Sequence, residues 1–319
     1  MSVLLCLTGC DEQEWAQRFK QHLPNLDIYC WSDPSVPNNT QLLNSLTHLV
    51  AWKPVDECLQ KLTSLQAVYS LGAGVDHILN CKSLPNVPVY RLVDSDLTNR
   101  MSEWVVLQAL FHLRQMPAYM QAQSQRQWQP LLQPAATDVT LGIMGMGVLG
   151  KAAAKHLTAL GFNVLSWSRS AKQIENVKSF STQQQLPAFL KETEILVNLL
   201  PSNKHTHGLV TMELLQQLQS DGPLKAAVYI NGGRGATQNE ADLYKALTSG
   251  ILKAASIDVF ENEPLAADSP LWQLPNCFIF PHVAATSSPI TASKIIASQI
   301  LSVEAGETAE NLVDTTLGY

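Results

Sequence analysis

Short apolar runs alternate with polar, helix-compatible stretches through the first hundred residues, and the runs at 3–7, 26–30, 48–52, 67–70 and 89–93 read as strands. Strands that alternate with helices pack as a parallel sheet with helices on its faces. The pattern then changes. Residues 102–121 place Val105, Leu107, Leu110 and Leu113 at helical spacing and predict one long helix. A glutamine-rich, proline-punctuated stretch at 121–134 reads as a surface connection. From Asp138 a second series of strands begins, at 139–144, 163–167, 195–199, 227–230, 254–257 and 278–280. A last helix at 289–305 has no strand to follow it. It therefore predicts a discontinuous first domain, residues 1–100 plus 287–319, with a second parallel-sheet α/β domain, 101–286, inserted between its segments.

The sharpest chemical signal sits in that second series. A strand runs into Gly145, Gly147 and Gly150, and an alanine-rich helical segment follows. The order strand, GxGxxG, helix suits a dinucleotide pyrophosphate. The first glycine makes a tight turn and the second admits the phosphates. The third lets helix and strand pack closely, and the first-turn amides, at Val148, Leu149 and Gly150, face the anion. A glycine-rich turn without a ligand is the bland alternative, and the flanking strand and helix argue against it.

The next strand ends at Trp167 and leads into Ser168, Arg169, Ser170 and Lys172. An NAD site usually places an acid here to hold the ribose 2′-hydroxyl, and none is present. Arg169 and Lys172 would instead attract a 2′-phosphate. The same cations also suit a solvated loop. The missing acid tips the reading to NADPH, with NADH possible.

Composition excludes several function classes. A chain of 319 residues with 46% hydrophobic and 15% charged content fits a compact enzyme of about two domains. The net charge of −6 offers no general attraction to nucleic acid or an acidic membrane. No apolar run is long enough to span a bilayer, and the apolar start at 3–7 reads as a strand rather than a signal segment. The six cysteines, Cys6, Cys10, Cys30, Cys58, Cys81 and Cys277, lack CxxC spacing and read as reduced thiols of a cytoplasmic protein. No metal site is expected. His205 and His207 lie on a polar loop and read as surface or cofactor-side residues.

In an open parallel sheet, ligands bind at the carboxyl ends of the strands. Three polar segments fall there in succession: NGGRG at 231–235, DVFENEP at 258–264 and PHVA at 281–284. Arg234, Glu263 and His282 could thus converge over the cofactor cleft, although each alone has a bland reading as a surface cation, a helix-terminal charge or a loop histidine. With LGAGVD at 71–76, the glycine loop, WSRS at 167–170 and NLLP at 198–201, these motifs cover most of the chain in order. As a set the chain resembles the D-isomer-specific 2-hydroxyacid dehydrogenases, most closely their glyoxylate/hydroxypyruvate reductase A group.

The resemblance implies two Rossmann-like or flavodoxin-like parallel-sheet domains and a catalytic set of Arg234, Glu263 and His282. It extends the cofactor contacts to Leu200, Pro201, Thr206, Gly232, Gly233 and Asp258, the last on the nicotinamide side. It also implies that backbone N–H groups of Gly72, Ala73 and Gly74 help to hold a substrate carboxylate, and that the protein is a homodimer built around the region of Trp128. One departure is Gly233, where the family usually has alanine; a small loss of rigidity is expected, with the role of Arg234 intact. Trp52 ends a strand of the first domain and reads equally as a cleft residue or as core.

The chemistry suits these residue types. When a hydride reaches the carbonyl carbon of a 2-oxo acid, negative charge grows on the carbonyl oxygen. A guanidinium grips carboxylate and carbonyl together. Histidine donates the proton, since its ordinary pKa of roughly 6.5 suits a donor near neutrality. A carboxylate on the other ring nitrogen fixes the tautomer, a role for Glu263. The expected activity is NADPH-dependent reduction of glyoxylate, hydroxypyruvate or a similar small 2-oxo acid. The rivals are a lactate- or phosphoglycerate-type dehydrogenase, and a dinucleotide-sensing binding protein of the same fold.

Overall fold

The structure is a computed structural model that describes residues 2–318. The chain separates into two compact units, one of residues 1–97 with 287–319 and the other of residues 98–286. Each is built on its own parallel sheet.

In the first unit the strands are β1 (Ser2–Leu7), β2 (Asp27–Cys30), β3 (His48–Trp52), β4 (Ala67–Ser70) and β5 (Val89–Tyr90). Their spatial order, β2-β1-β3-β4-β5, is that of flavodoxin-like sheets. Every residue of β1 and β4 is buried, as expected of strands covered on both faces. The helix Pro289–Glu304 belongs to this unit and packs on the helix Glu12–His22. His48 in β3 is fully buried. Its Nδ1 lies 3.1 Å from the Tyr69 hydroxyl, and its Nε2 pairs with Glu304 at the end of that last helix.

The second unit holds β6 (Thr140–Met144), β7 (Asn163–Ser168), β8 (Val177–Ser181), β9 (Ile195–Asn198), β10 (Ala227–Asn231), β11 (Leu252–Ile257) and β12 (Cys277–Ile279). The order is β12-β11-β10-β9-β6-β7-β8, so the chain reverses direction across the sheet between β6 and β9. This is the doubly wound arrangement with one strand added, and its switch point lies beside the glycine loop that follows β6. Apolar clusters line the sheet, one around Phe189, Tyr229 and Ile257 and another around Ile143, Leu157 and Ile230.

Three local expectations need correction. The helix expected at 102–121 is two helices, Ser95–Leu113 and Met116–Ser124. Gln115 between them is left-handed (φ 54°), and Pro117 in the first turn of the second helix could not continue the first one. The pattern does not predict β8, whose alternating, half-polar VKSFS sequence pairs only with β7 at the sheet edge. The strand expected at 89–93 is limited to Val89 and Tyr90.

Candidate active site of the second unit

The glycine loop has the geometry its sequence implies. Gly145 is left-handed (φ 98°), and a β-carbon there would lie 2.7 Å from the Leu199 carbonyl oxygen. A β-carbon on Gly150 would lie 2.0 Å from the Gly145 carbonyl oxygen, so the helix Val148–Ala159 can approach the turn only with glycine. Gly147 differs from both. Nothing lies within 4 Å of its virtual β-carbon, and no described side chain caps the helix it begins. The turn is thus tight on the protein side and open, with first-turn amides available, on the other. That is the shape a pyrophosphate needs.

At the end of β7, Arg169 and Ser170 are exposed and Lys172 is half-buried. Ser168 is buried, and its hydroxyl donates to the Ser170 carbonyl at 2.9 Å. Its single O–H is therefore engaged in shaping the turn, which leaves Arg169, Ser170 and Lys172 as the groups able to meet an anion. Thr206 behaves like Ser168: its hydroxyl donates to Pro201 O at 2.6 Å and accepts from Asn203 N–H at 3.0 Å, holding the turn after Leu200 and Pro201. His205 and His207 flank it on the exposed side.

The next strand ends form one hydrogen-bonded block. Asn198, fully buried, donates to the Tyr229 hydroxyl (2.9 Å) and to Thr237 Oγ1 (2.8 Å), and its Oδ1 receives Leu200 N–H. Thr237 in turn donates to the Arg234 carbonyl at 2.6 Å. Asn231 accepts Gly233 N–H at 3.0 Å and reaches Gln238 Oε1 at 2.8 Å. The backbone that carries Arg234 is therefore gripped from below by buried amides and a hydroxyl, and its guanidinium also donates to Gly233 O. Gly232 backs onto Trp104, which meets Phe280 edge-on at 5.6 Å.

Two glycines here are sterically required. A β-carbon on Gly235 would stand 1.9 Å from the Phe260 carbonyl carbon, so the arginine loop lies flush against the backbone leading to Glu263. At Gly233 it would stand 2.8 Å from Leu200 O. That amends the expectation for this position, because glycine here accommodates a close approach of two strand-end loops rather than merely loosening one.

His282 follows β12 in a left-handed conformation (φ 56°), which a non-glycine residue holds only when its surroundings fix it. Asp258, at the end of β11 and 1% exposed, does this. Its carbonyl accepts His282 N–H at 2.9 Å, and its carboxylate oxygens accept Val283 N–H (2.8 Å) and Ala284 N–H (3.0 Å). Burial pushes the Asp258 carboxyl up from its ordinary range, against the pull of those two amides and of His282. The imidazole Nδ1 of His282 lies 2.8 Å from Glu263 Oε2, with both side chains partly open to solvent (29% and 22%). Glu263 Oε1 accepts Phe260 N–H at 3.2 Å. The structure thus brings the predicted histidine and carboxylate together as a pair, on the same strand-end rim as Arg234. Among the described residues no His, Cys, Asp and Glu cluster could hold a metal ion.

In the first unit, the Gly72 loop is shaped by Ser70, whose hydroxyl accepts Gly72 N–H (3.2 Å) and donates to Gly74 O (2.9 Å). Of the three amides assigned to a carboxylate, those of Ala73 and Gly74 remain for a ligand. Trp52 is half-buried, with its ring against Gly72 and 4.6 Å from the His77 ring.

The sequence does not reveal Thr237, Gln238 and Trp104, nor the steric requirement at Gly235, which it shows only as a motif residue. Their roles come from which strand ends the sheet places side by side, and no local pattern announces that. Asn198 and Asn231 were visible as motif residues, but not as the anchors of the block.

Comparison with known proteins gives a consistent picture. Residues 106–284 match the family model for D-isomer specific 2-hydroxyacid dehydrogenase, NAD binding domain. Glyoxylate/hydroxypyruvate reductase A of Serratia proteamaculans is 39% identical over 325 residues, spanning 100% of both chains. The crystal structure of an NADPH-dependent glyoxylate/hydroxypyruvate reductase from Sinorhizobium meliloti, in complex with NADP and sulfate, superimposes with a TM-score of 0.95 at 42% identity, covering 100% of this chain and 99% of that one. A probable 2-hydroxyacid dehydrogenase from Rhizobium etli, in complex with NADP, HEPES and L(+)-tartaric acid, gives 0.92 at 40% identity, with 100% and 99% covered.

Proposed function

The chain belongs to the D-isomer specific 2-hydroxyacid dehydrogenase family, and we propose that it reduces glyoxylate, hydroxypyruvate and similar small 2-oxo acids to 2-hydroxy acids with NADPH. The observation that carries this reading is the His282–Glu263 pair, held at the strand ends of a sheet whose glycine loop leaves an uncapped helix start open. The residues present fit a dinucleotide, because a β-carbon is sterically excluded at Gly145 and Gly150 while Gly147 faces open space. The amides of the first turn would hold the pyrophosphate, and Arg169, Ser170 and Lys172 would hold a 2′-phosphate. When bound, the cofactor supplies a hydride to the carbonyl carbon.

The chain's own groups do the rest. Arg234 binds the substrate carboxylate and carbonyl oxygen with a planar fork and stabilises the charge that grows on that oxygen. Glu263 on Nδ1 fixes the imidazole so that Nε2 of His282 carries the proton to be delivered to the same oxygen. In the first unit, the Ala73 and Gly74 amides are proposed as carboxylate donors, and Trp52, whose ring lies against Gly72, as a further substrate contact. The NADP complexes of the Sinorhizobium and Rhizobium proteins support the cofactor reading.

A homodimer is part of the reading. Trp128 is 100% exposed and Leu132 94% exposed on the segment after Ser124, and Leu107, Met116 and Met120 are exposed on the two preceding helices. That much exposed apolar surface along successive elements suits an interface. A cytoplasmic enzyme is in keeping with six free cysteines, and no described helix is long and apolar enough to cross a membrane.

The test is oxidation of NADPH and of NADH by purified protein against a panel of 2-oxo acids. Turnover of glyoxylate and hydroxypyruvate with NADPH is expected. Tight NADPH binding with no turnover of any 2-oxo acid would instead make the protein a dinucleotide-sensing binding module.

A further inference from the structure

Gln238 is a buried side-chain amide (2% exposed) that touches neither the glycine loop nor the ion pair, yet it stands between the two strand ends that carry the catalytic groups. Its Oε1 accepts from Asn231 Nδ2 at 2.8 Å, at the end of β10. Its Nε2 donates to the Val259 carbonyl at 3.1 Å, just past the end of β11. The amide orientation is fixed by its partners. Val259 O can only accept, and Asn231 Oδ1 already accepts Gly233 N–H, so Asn231 meets Gln238 through its donor.

The peptide unit that Gln238 grips is the one that faces Glu263. The Val259 carbonyl and the Phe260 N–H belong to a single amide plane, and that N–H donates to Glu263 Oε1 at 3.2 Å. A continuous series results, from Asn231 Nδ2–H through the Gln238 amide and the Val259–Phe260 peptide to the Glu263 carboxylate, and from its Oε2 to His282 Nδ1. Every donor in the series before the carboxylate points the same way, toward its negative charge. Hydrogen bonds in such a chain polarise one another, and a carbonyl that accepts a bond makes the N–H of its own peptide a stronger donor.

We propose that Gln238 is a positioning residue for the Glu263–His282 pair, acting through the Val259–Phe260 peptide and coupling it to the arginine loop. It orients that peptide and strengthens the Phe260 N–H bond that aims Glu263 at the imidazole. The backbone around it is built to keep this register. Gln238 N–H donates to Gly235 O at 2.9 Å, and Gly235 lies flush against Phe260. Two residues further on, Glu240 and Glu261 cap each other's amides, at 2.9 and 2.6 Å, and so tie the helix Glu240–Thr248 to the loop that holds Glu263. Among the charged groups near the pair, Asp258 lies beneath His282 and also acts on Glu263, while Glu261 and Glu240 meet each other on the loop that leads to Glu263. None of them supplies the hydrogen bond that Gln238 gives to Val259.

The inference rests on the reductase reading for what the pair does, but not for its own test. Gln238→Met keeps the side-chain length and removes both hydrogen bonds; Gln238→Val serves if the methionine variant does not fold. In ¹⁵N-labelled protein without ligands, the Phe260 amide proton is expected to move upfield, and the low-field Nδ1 proton of His282 to move upfield or broaden. With 2-oxo acid and NADPH, kcat is expected to fall about five- to tenfold, with KM and the NADPH Kd within about twofold of the parent. A folded variant whose Phe260 and His282 resonances match those of the parent overturns the proposal, whatever its kinetics. A parent protein that turns over no 2-oxo acid overturns the reductase reading alone, because the resonance comparison still decides the role of Gln238.

Discussion

Glu263 Oε2 lies 2.8 Å from His282 Nδ1, while the other oxygen of the same carboxylate is held by Phe260 N–H, so Nε2 is the ring nitrogen left for the proposed proton transfer. The division of labour between the two ring nitrogens follows from this one contact. His282→Ala is expected to lower kcat by a factor on the order of 10²–10⁴, with the NADPH Kd within about twofold of wild type. Arg234→Lys is expected to be similarly severe, since a point charge does not reproduce a planar fork. Steady-state turnover and fluorescence titration with NADPH check both, and near-normal kcat in either variant removes the assigned mechanism.

The three glycines of the phosphate loop separate binding from folding. A β-carbon on Gly147 meets open space, whereas one on Gly150 collides with the Gly145 carbonyl. Gly147→Ala is expected to keep its Tm and lose about tenfold or more in NADPH affinity. Gly150→Ala is expected to lose about 1–3 kcal/mol of stability. Denaturant unfolding and a binding isotherm on each variant distinguish the two, and unchanged affinity in Gly147→Ala would mean the phosphates sit elsewhere.

Arg169 stands exposed at the end of β7, where no acid is present to hold a ribose hydroxyl. A charge-assisted bond to a 2′-phosphate contributes on the order of 1.5–3 kcal/mol. NADPH is therefore expected to exceed NADH at least about tenfold in kcat/KM. Arg169→Ala should erode that ratio through the NADPH side alone, and added salt should do so partially. Parallel losses with both cofactors would show that this turn does not read the phosphate.

Glu194, at the foot of β9 and 1% exposed, has one oxygen on Leu224 N–H and the other buried without a hydrogen-bond partner. Burial pushes its carboxyl above the ordinary range, more than the Leu224 amide and Lys253 pull it down. The folded protein thus holds the proton more tightly than the unfolded chain. That contribution is fully present below the unfolded value near 4.3 and is lost as pH rises through the raised folded value. Glu194→Gln is neutral throughout, so its Tm should exceed that of wild type at pH 8 and match it near pH 4. Melting curves at the two pH values check the sign.

Trp128 offers a direct test of assembly. With its ring fully exposed in the isolated chain, Trp128→Glu is expected to shift a dimer toward monomer at micromolar concentration. Sedimentation velocity on both proteins reads the change, and a wild-type monomer ends the dimer proposal.

The parts legible in the sequence are those whose cause is local. The GxGxxG spacing of Gly145, Gly147 and Gly150 is read within six residues of chain, and the apolar runs of β1 and β6 announce strands buried on both faces. Glu263 and His282 are legible because each lies in a polar segment after a strand and in a motif that resembles the family's. What stayed hidden depends on neighbours that only the sheet order supplies. Gln238 joins Asn231 to Val259 across β10 and β11, and Asp258 holds the backbone of a histidine 24 residues later. The inward turn of the Ser168 hydroxyl, the break at Gln115 and the half-polar β8 depend on small conformational preferences that periodicity does not resolve.

The pairing of His48 with Glu304 has a consequence for how the chain comes into being. The first unit needs residues from both ends of the sequence, since Glu304 meets His48, Val313 N–H bonds Val89 O and the helix Pro289–Glu304 covers the helix Glu12–His22. On a ribosome, the residues made first therefore wait longest. The inserted unit has all of its strands once Phe280 has emerged, whereas β3 keeps an uncovered imidazole until nearly the whole chain is out. The order in which the segments are made and the order in which the two units have all their parts therefore run in opposite senses. A chain arrested at residue 286 would carry a finished dinucleotide unit tethered to an N-terminal sheet still lacking its cover.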